Sequence, residues 1–311
     1  MKLFSDDSVL AVSITRLSLI HFLSFTSCVL GLAAYGEDAA PTATVTVTSS
    51  PAAASKEKPF ENSLGMRFAP VPITAGSTKG QNVLFSVWET RRKDYAAYAS
   101  ANTGVDQSWK SEKYFGHPLS FDQTHPVVRV SWPDAVDFCK WLTSIERRSG
   151  KIGRNDTYRL PTDTEWSFAV GIGEREDSRK SPKENDLLIE NVYPWGVDWP
   201  PPSQAGNYKN RGIDPFNGAL GGFNDYVDGY LTTAPVGSYK ANKHGLFDLG
   251  GNVWEICNSL YDPKDKLRVV RGGGWGVYGR IIMLSSYRSF ASPDDRYAEN
   301  GFRCVLVVTG S

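Results

Sequence analysis

Between residues 60 and 170, the spacing of apolar and polar positions predicts short strands alternating with three helices. Asn62 to Pro72 alternates and closes on prolines, which suits an edge strand because proline cannot donate to a ladder. Val83 to Glu89 is a second strand candidate, with Thr90 at the capping position of a helix over about 91–100. Ser131-Trp132-Pro133-Asp134 opens a clearer helix, with a capping hydroxyl, proline in the first turn and an acid near the positive helix end. Ala135, Phe138, Cys139, Leu142 and Ile145 then recur at helical spacing before Gly150, so Cys139 points inward. Thr162 and Glu165 form a capping box ahead of Trp166, Phe168 and Ala169, which gives Glu165 a structural role rather than a catalytic one. The polar residues 171–192 predict a solvated surface loop or short helix.

Composition narrows the class. The chain has 311 residues, 41% hydrophobic and 22% charged, ordinary for a globular protein with one large domain or two small ones. Lys plus Arg and Asp plus Glu are 34 each, a balance with no electrostatic reason for nucleic acid or an anionic membrane as partner. The first 36 residues carry Lys2 and Arg16 ahead of the apolar run Leu17 to Ala34 and read as a secretory signal. Retention as an N-terminal anchor and lipidation of Cys28 are the alternatives, so the expected location is secreted or in the periplasm and cell envelope. Residues 37–58, rich in Ala, Thr, Ser and Pro, predict a disordered linker, leaving 59–311 as the domain. Beyond Cys28 lie Cys139, Cys257 and Cys304, an odd number that leaves at least one thiol unpaired within the chain.

Residues 244–304 set aromatics beside glycines and a few carboxylates with little periodicity, a pattern for a tightly turned, irregular core. Gly245-Leu246-Phe247-Asp248-Leu249-Gly250-Gly251-Asn252-Val253-Trp254-Glu255, then Arg271-Gly272-Gly273-Gly274-Trp275, then Gly301-Phe302-Arg303-Cys304 resembles the C-terminal half of the formylglycine-generating enzyme family. His125 to Trp132, Tyr158 to Trp166 and Tyr193 to Gly196 extend the resemblance to about residues 60–308. It implies an α+β fold of that type, related to C-type lectins, with little regular secondary structure.

The family's oxidase chemistry rests on two cysteines a few residues beyond an Arg-Gly-Gly-Ser motif, where paired thiolates hold copper. Gly274 to Ser289 contains no cysteine, and Gly274 stands where the family has serine, so copper is not expected. Met283 and Cys257 are soft atoms off the family's spacing. His117, His125 and His244 form no ligand pair. No nucleophile elbow, Walker loop or zinc-type spacing occurs, and Ser285, Ser286 and Tyr287 read as a structural turn.

What the resemblance retains is calcium, through Asp248, Gly251, Val253 and Glu255, and at a second site through Asn207, Tyr208, Asp228 and Tyr230. It also implies a Cys139–Cys304 disulfide, leaving Cys257 as a buried inert thiol. A groove for an extended peptide would be lined by Trp254, Gly274, Trp275, Tyr278 and Arg288, residues equally suited to a core. The leading expectation is an exported, calcium-stabilised, catalytically degenerate binding or accessory module whose partner is a protein, peptide or glycan. The alternatives are a metal-dependent oxidoreductase of the formylglycine-generating type acting on a protein cysteine, and a carbohydrate-binding lectin-like module.

Overall fold

A computed structural model describes residues 46–114, 116–119, 122–209, 222–223 and 226–309. The expected export segment, Cys28 included, lies outside the described residues. Strands β1 (Phe60–Glu61), β2 (Arg67–Pro70) and β3 (Asn82–Ser86) come first, then α1 (Arg92–Ala101), β4 (Lys113–Tyr114), β5 (His117–Pro118) and α2 (Trp132–Arg148). β6 (Thr157–Arg159), α3 (Asp163–Val170) and the single turn α4 (Pro182–Asn185) follow. The C-terminal part supplies β7 (Trp254–Leu260), β8 (Arg268–Arg271), β9 (Ser289–Ala291), β10 (Asn300–Gly301) and β11 (Val305–Val308). The class is α+β, with much of the chain between short elements in turns and loops.

A five-stranded antiparallel sheet in the order β1-β2-β3-β11-β6 ties the two ends of the domain together, since β11 lies between β3 and β6. Leu84 and Leu306 face one core with Phe68, Phe138, Leu142, Tyr158 and Phe302. Their neighbours Val83, Phe85 and Val305 face a second core with Trp166, Cys257 and Val269. A strand buried on both faces needs apolar residues at successive positions, which is why Val83 to Phe85 and Val305 to Val307 are unbroken apolar runs. The second sheet, β10-β7-β8-β9, pairs β10 parallel to β7 and otherwise runs antiparallel.

The helix start signals act as read at two places. Ser131 Oγ accepts from the Asp134 amide at 3.3 Å, Asp134 accepts from the Ser131 amide at 2.9 Å, and α2 buries Ala135, Phe138, Cys139 and Leu142. Glu165 accepts from the Thr162 amide at 2.8 Å and binds Arg159 at 2.7 and 2.6 Å, so both of its oxygens serve structure.

Four expectations are corrected. The Asn62–Pro72 strand is not an edge, because β1 pairs outside it and Thr48 bridges to Phe60 outside that. The same bridge, with Thr48 N donating to Pro59 O at 2.9 Å and Glu61 N to Thr48 O at 3.1 Å, orders the chain from 46 onward, so the linker does not run to 58. Thr90 does not cap α1: its amide donates to Phe302 O and its carbonyl accepts from Val127 N, both at 2.8 Å, and Asp94 takes the Arg91 amide at 3.0 Å instead. Residues 171–192 are not simply solvated, since Ile172, Gly173, Asn185 and Ile189 are buried.

Replacing the α2 cap, Ser131→Ala, is expected to cost about 1 kcal/mol in urea unfolding with an unchanged denaturant slope. A loss below about 0.3 kcal/mol would show that the α2 packing face alone sets where the helix starts.

Candidate functional site

The turn before β7 reverses direction through residues with positive φ: Asp248 at 57°, Gly251 at 82° and Asn252 at 59°. At Gly251 a Cβ would stand 2.5 Å from the Asn207 carbonyl, so only glycine allows this approach. The Asn252 amide donates to that carbonyl at 2.9 Å, and Asn207 Nδ2 donates to Asn252 Oδ1 at 3.1 Å. The turn that carries the first expected calcium site is therefore hydrogen-bonded directly to Asn207 of the second.

At the first site, Asp248 is buried, takes the Gly237 amide on Oδ2 at 2.7 Å and leaves Oδ1 without a partner. Burial pushes its carboxyl up to about 6. Glu255 is also buried, but its charge is answered within the protein. Arg303 Nε donates at 2.7 Å and Nη2 at 2.5 Å, with Trp166 Nε1 adding a third bond at 2.9 Å. Arg303 thus supplies the charge that offsets the burial of Glu255, and burial's opposition to that guanidinium is outweighed by Glu255, Glu89 and Asp248. At the second site, Asp228 accepts from the Tyr208 amide at 2.9 Å and the Tyr230 amide at 3.0 Å, and burial raises it to about 6. Asn207 Oδ1 is buried and unpartnered.

Glu89 belongs to this centre and was not anticipated. It is fully buried, accepts from Asn252 Nδ2 at 2.6 Å and the Val253 amide at 3.2 Å, and is pushed well up by burial and then by Asp248 and Glu255. The available signal was an acid ending an otherwise apolar strand. Three buried carboxylates thus face one guanidinium. The two orphaned oxygens, one at each expected site, are donors of the hard type that suits a divalent cation. Among the described residues, no group of three or more His, Cys, Asp or Glu side chains is arranged to hold a metal by side chains alone. Any cation here would depend on carbonyls such as those of Gly251 and Val253.

The expected groove residues divide. Arg288 is not in a groove: it is buried, binding Asp163 at 2.9 Å and Glu176 at 2.7 Å. Arg271 also pairs with Asp163. Burial alone would raise Asp163, but the two guanidiniums hold it below the usual carboxylate range. Gly274 is packed, with Trp254 Cδ1 3.2 Å from where a Cβ would sit, and Trp275 is buried with Leu119, Val128, Val253 and Ala298. Tyr278 is exposed, with the Lys209 ammonium 5.8 Å above its ring. Trp254 lines an open cavity of about 370 Å³ with Tyr114, Phe290, Tyr297, Glu299 and Asn300. Cys139 and Cys304 are brought together as buried thiols, Sγ to Sγ 3.4 Å, and Cys257 lies buried in the other core.

Fold and centre together define an irregular α+β domain organised by buried ion pairs beneath a glycine-rich turn. The family model for the sulfatase-modifying factor enzyme 1-like domain matches residues 72–308, and the chain belongs to that family. It is 31% identical over 214 residues to a formylglycine-generating enzyme of Streptomyces coelicolor, covering 63% of this chain and 57% of the relative. It is 33% identical over 204 residues to the inactive C-alpha-formylglycine-generating enzyme 2 of Bos taurus, covering 63% and 55%. The chain thus spans little more than half the length of these curated relatives. The structure of PvdO from Pseudomonas aeruginosa shares the fold, with a TM-score of 0.53 at 19% identity over 80% of this chain and 97% of that one.

Arg303→Met, which strands Glu255 in the core, is expected to cost about 3–5 kcal/mol in urea unfolding. Adding Glu255→Gln should recover part of that loss, and a double variant no better than the single one would contradict the pairing.

Proposed function

We propose that this chain is an exported, non-catalytic member of its family, braced by calcium, that binds a partner at the cavity beside Trp254. The observation that carries this reading is the donor chemistry of residues 274–289. That stretch has no thiol, and its Met283 thioether is 2% exposed in the core. Cys257 offers no substitute, because burial pushes its thiol well above the usual range and keeps it out of the reactive thiolate form. The residues present do not fit a copper ion. The rival reading, a metal-dependent oxidoreductase, has the identity to the Streptomyces enzyme in its favour. After copper loading and desalting, no retained copper is expected, and no oxygen uptake with a cysteine-containing sulfatase peptide. Stoichiometric copper with peptide-dependent uptake would establish the rival.

The calcium reading rests on the orphaned oxygens of Asp248 and Asn207 and on the excess of buried carboxylates. A cation present at about a hundred times its dissociation constant stabilises by about 2.7 kcal/mol. Chelation is therefore expected to lower Tm by about 5–10 °C. Without the cation, Asp228 and Asp248, raised to about 6, favour the folded state only while protonated. That contribution is full below the unfolded carboxyl value near 4 and is lost as pH rises through about 6. The calcium-dependent difference in Tm should widen over the same interval. A chelator-insensitive Tm at pH 7 would count against both sites.

Oxidation in an export compartment would convert the adjacent Cys139 and Cys304 thiols to a disulfide. Closing a 165-residue separation stabilises by roughly 5 kcal/mol at most on chain-entropy grounds. Denatured, unreduced exported protein should then show one titratable thiol among Cys139, Cys257 and Cys304, whereas three would place it in the reduced form.

A further inference from the structure

Charge balance over the whole chain hides a local imbalance where α2 ends. Four of the eight residues from Arg147 to Arg154 are basic and none is acidic. Gly150, at φ 73°, stops the helix, and the Lys151 amide donates back to the Glu146 carbonyl at 3.0 Å. The run therefore leaves the helix as a largely exposed turn.

The acids that flank this run in sequence face inward. Asp156 is buried and takes the Gly153 amide at 2.8 Å and the Thr309 amide at 2.9 Å. Glu146 is buried and accepts from the Ser63 amide at 3.1 Å. Arg147 is committed locally, donating to Asp156 O at 2.9 Å and to Thr157 Oγ1 at 2.8 Å. Arg148, Lys151 and Arg154 have no ion pair among the described residues, and Arg148 and Arg154 are exposed. Cations in the last turn of a helix answer its macrodipole, which accounts for Arg147 and Arg148. That effect falls off within the turn and does not reach Lys151 or Arg154.

The place of the run in the fold indicates what it meets. Lys151 and Arg154 line an open recess of about 690 Å³ together with Ser49, Pro51 and Thr309. Ser49 and Pro51 belong to the first described stretch of the chain, pinned by the Thr48 bridge to Phe60. The N-terminal entry to the domain thus lies beside the unpaired cations. The apolar run Leu17 to Ala34 ends twelve residues before Thr46. Such a length reaches at most about 40 Å. A retained run seated in a membrane therefore keeps this basic face within reach of the headgroups.

We infer that the face carrying Arg148, Lys151 and Arg154 docks on the anionic phospholipid headgroups of the membrane that holds the N-terminal segment. Unpaired guanidinium and ammonium groups supply charge-assisted hydrogen bonds to phosphate oxygens. Three such residues near an anionic surface favour the docked state about a hundredfold, and salt screens the attraction. The inference goes beyond the non-catalytic reading and assigns the side of the domain that faces the membrane. It rests on export with the apolar run, or an acyl group on Cys28, retained.

The test is hydrogen exchange over residues 147–156, read by mass spectrometry on the full chain. The chain is reconstituted into vesicles of phosphatidylcholine alone or of equal parts phosphatidylcholine and phosphatidylglycerol. Exchange over this run should be at least about tenfold slower on the anionic vesicles. It should return to the neutral-vesicle rate at high salt and in the triple variant Arg148→Gln, Lys151→Gln, Arg154→Gln. Exchange over β3 and β11 is the folding control and should match between variant and parent. Equal exchange on the two vesicles would overturn the docking, as would a slowing that survives in the triple variant. Equal slowing by a soluble sulfated polysaccharide added to neutral vesicles would overturn lipid as the occupant. An exported chain whose intact mass lacks both the apolar run and an acyl group on Cys28 would overturn the tether and leave the non-catalytic reading standing. Oxygen uptake by the copper-loaded protein bears on that reading alone.

Discussion

The buried pair of Glu255 and Arg303 is the joint on which the domain is assembled. Arg303 reaches the Ser86 carbonyl at the end of β3 at 3.1 Å and the Phe247 carbonyl of the glycine-rich turn at 2.9 Å while binding Glu255 on β7. Glu255 in turn holds Trp166 on α3. One ion pair thus connects the five-stranded sheet, the four-stranded sheet, a helix and the loop that carries Asp248. Both partners are essentially buried, so neither can relax into water if the other is lost. Its contribution lies in specifying which elements meet, because apolar packing alone would tolerate several arrangements of such short strands.

Around that joint, buried charges are divided between two jobs. Asp163, Glu176, Arg271 and Arg288 form a second interior network with two acids and two guanidiniums, which balances itself. The centre formed by Glu89, Asp248, Glu255 and Arg303 sets three acids against one guanidinium, with burial raising Glu89 and Asp248, and it contains the orphaned Asp248 oxygen. Closeness of sequence does not decide the role: Arg271 and Gly274 stand in one motif, yet one braces the interior by charge and the other lets Trp254 pack closely against the backbone. The family's motifs accordingly describe a scaffold, and the activity of any member depends on the few side chains placed upon it.

Local physics made part of this legible in the chain. The α2 and α3 start signals could be read because a cap and its partner lie within three residues of each other. The inward face of α2 followed from its period, and the family assignment from ordered motifs across the domain. Pairing partners could not be read in the same way. Arg288 looked like a binding anchor because its partner Glu176 stands 112 residues away in a segment that reads as solvated. Glu89 was passed over because its burial is decided by Asn252 and Val253, more than 160 residues on. Thr48 orders a segment whose composition alone argues for disorder, since its contribution comes from the exposed edge of β1 rather than from apolar side chains.

The central proposal is that the chain keeps the family's architecture without its thiol chemistry. It is tested most directly by exporting the chain together with a sulfatase fragment carrying its modifiable cysteine, then reading that residue by mass spectrometry. The account predicts an unmodified cysteine at copper concentrations that saturate a catalytic relative assayed in parallel. Conversion of that cysteine to formylglycine, dependent on this chain, would contradict it.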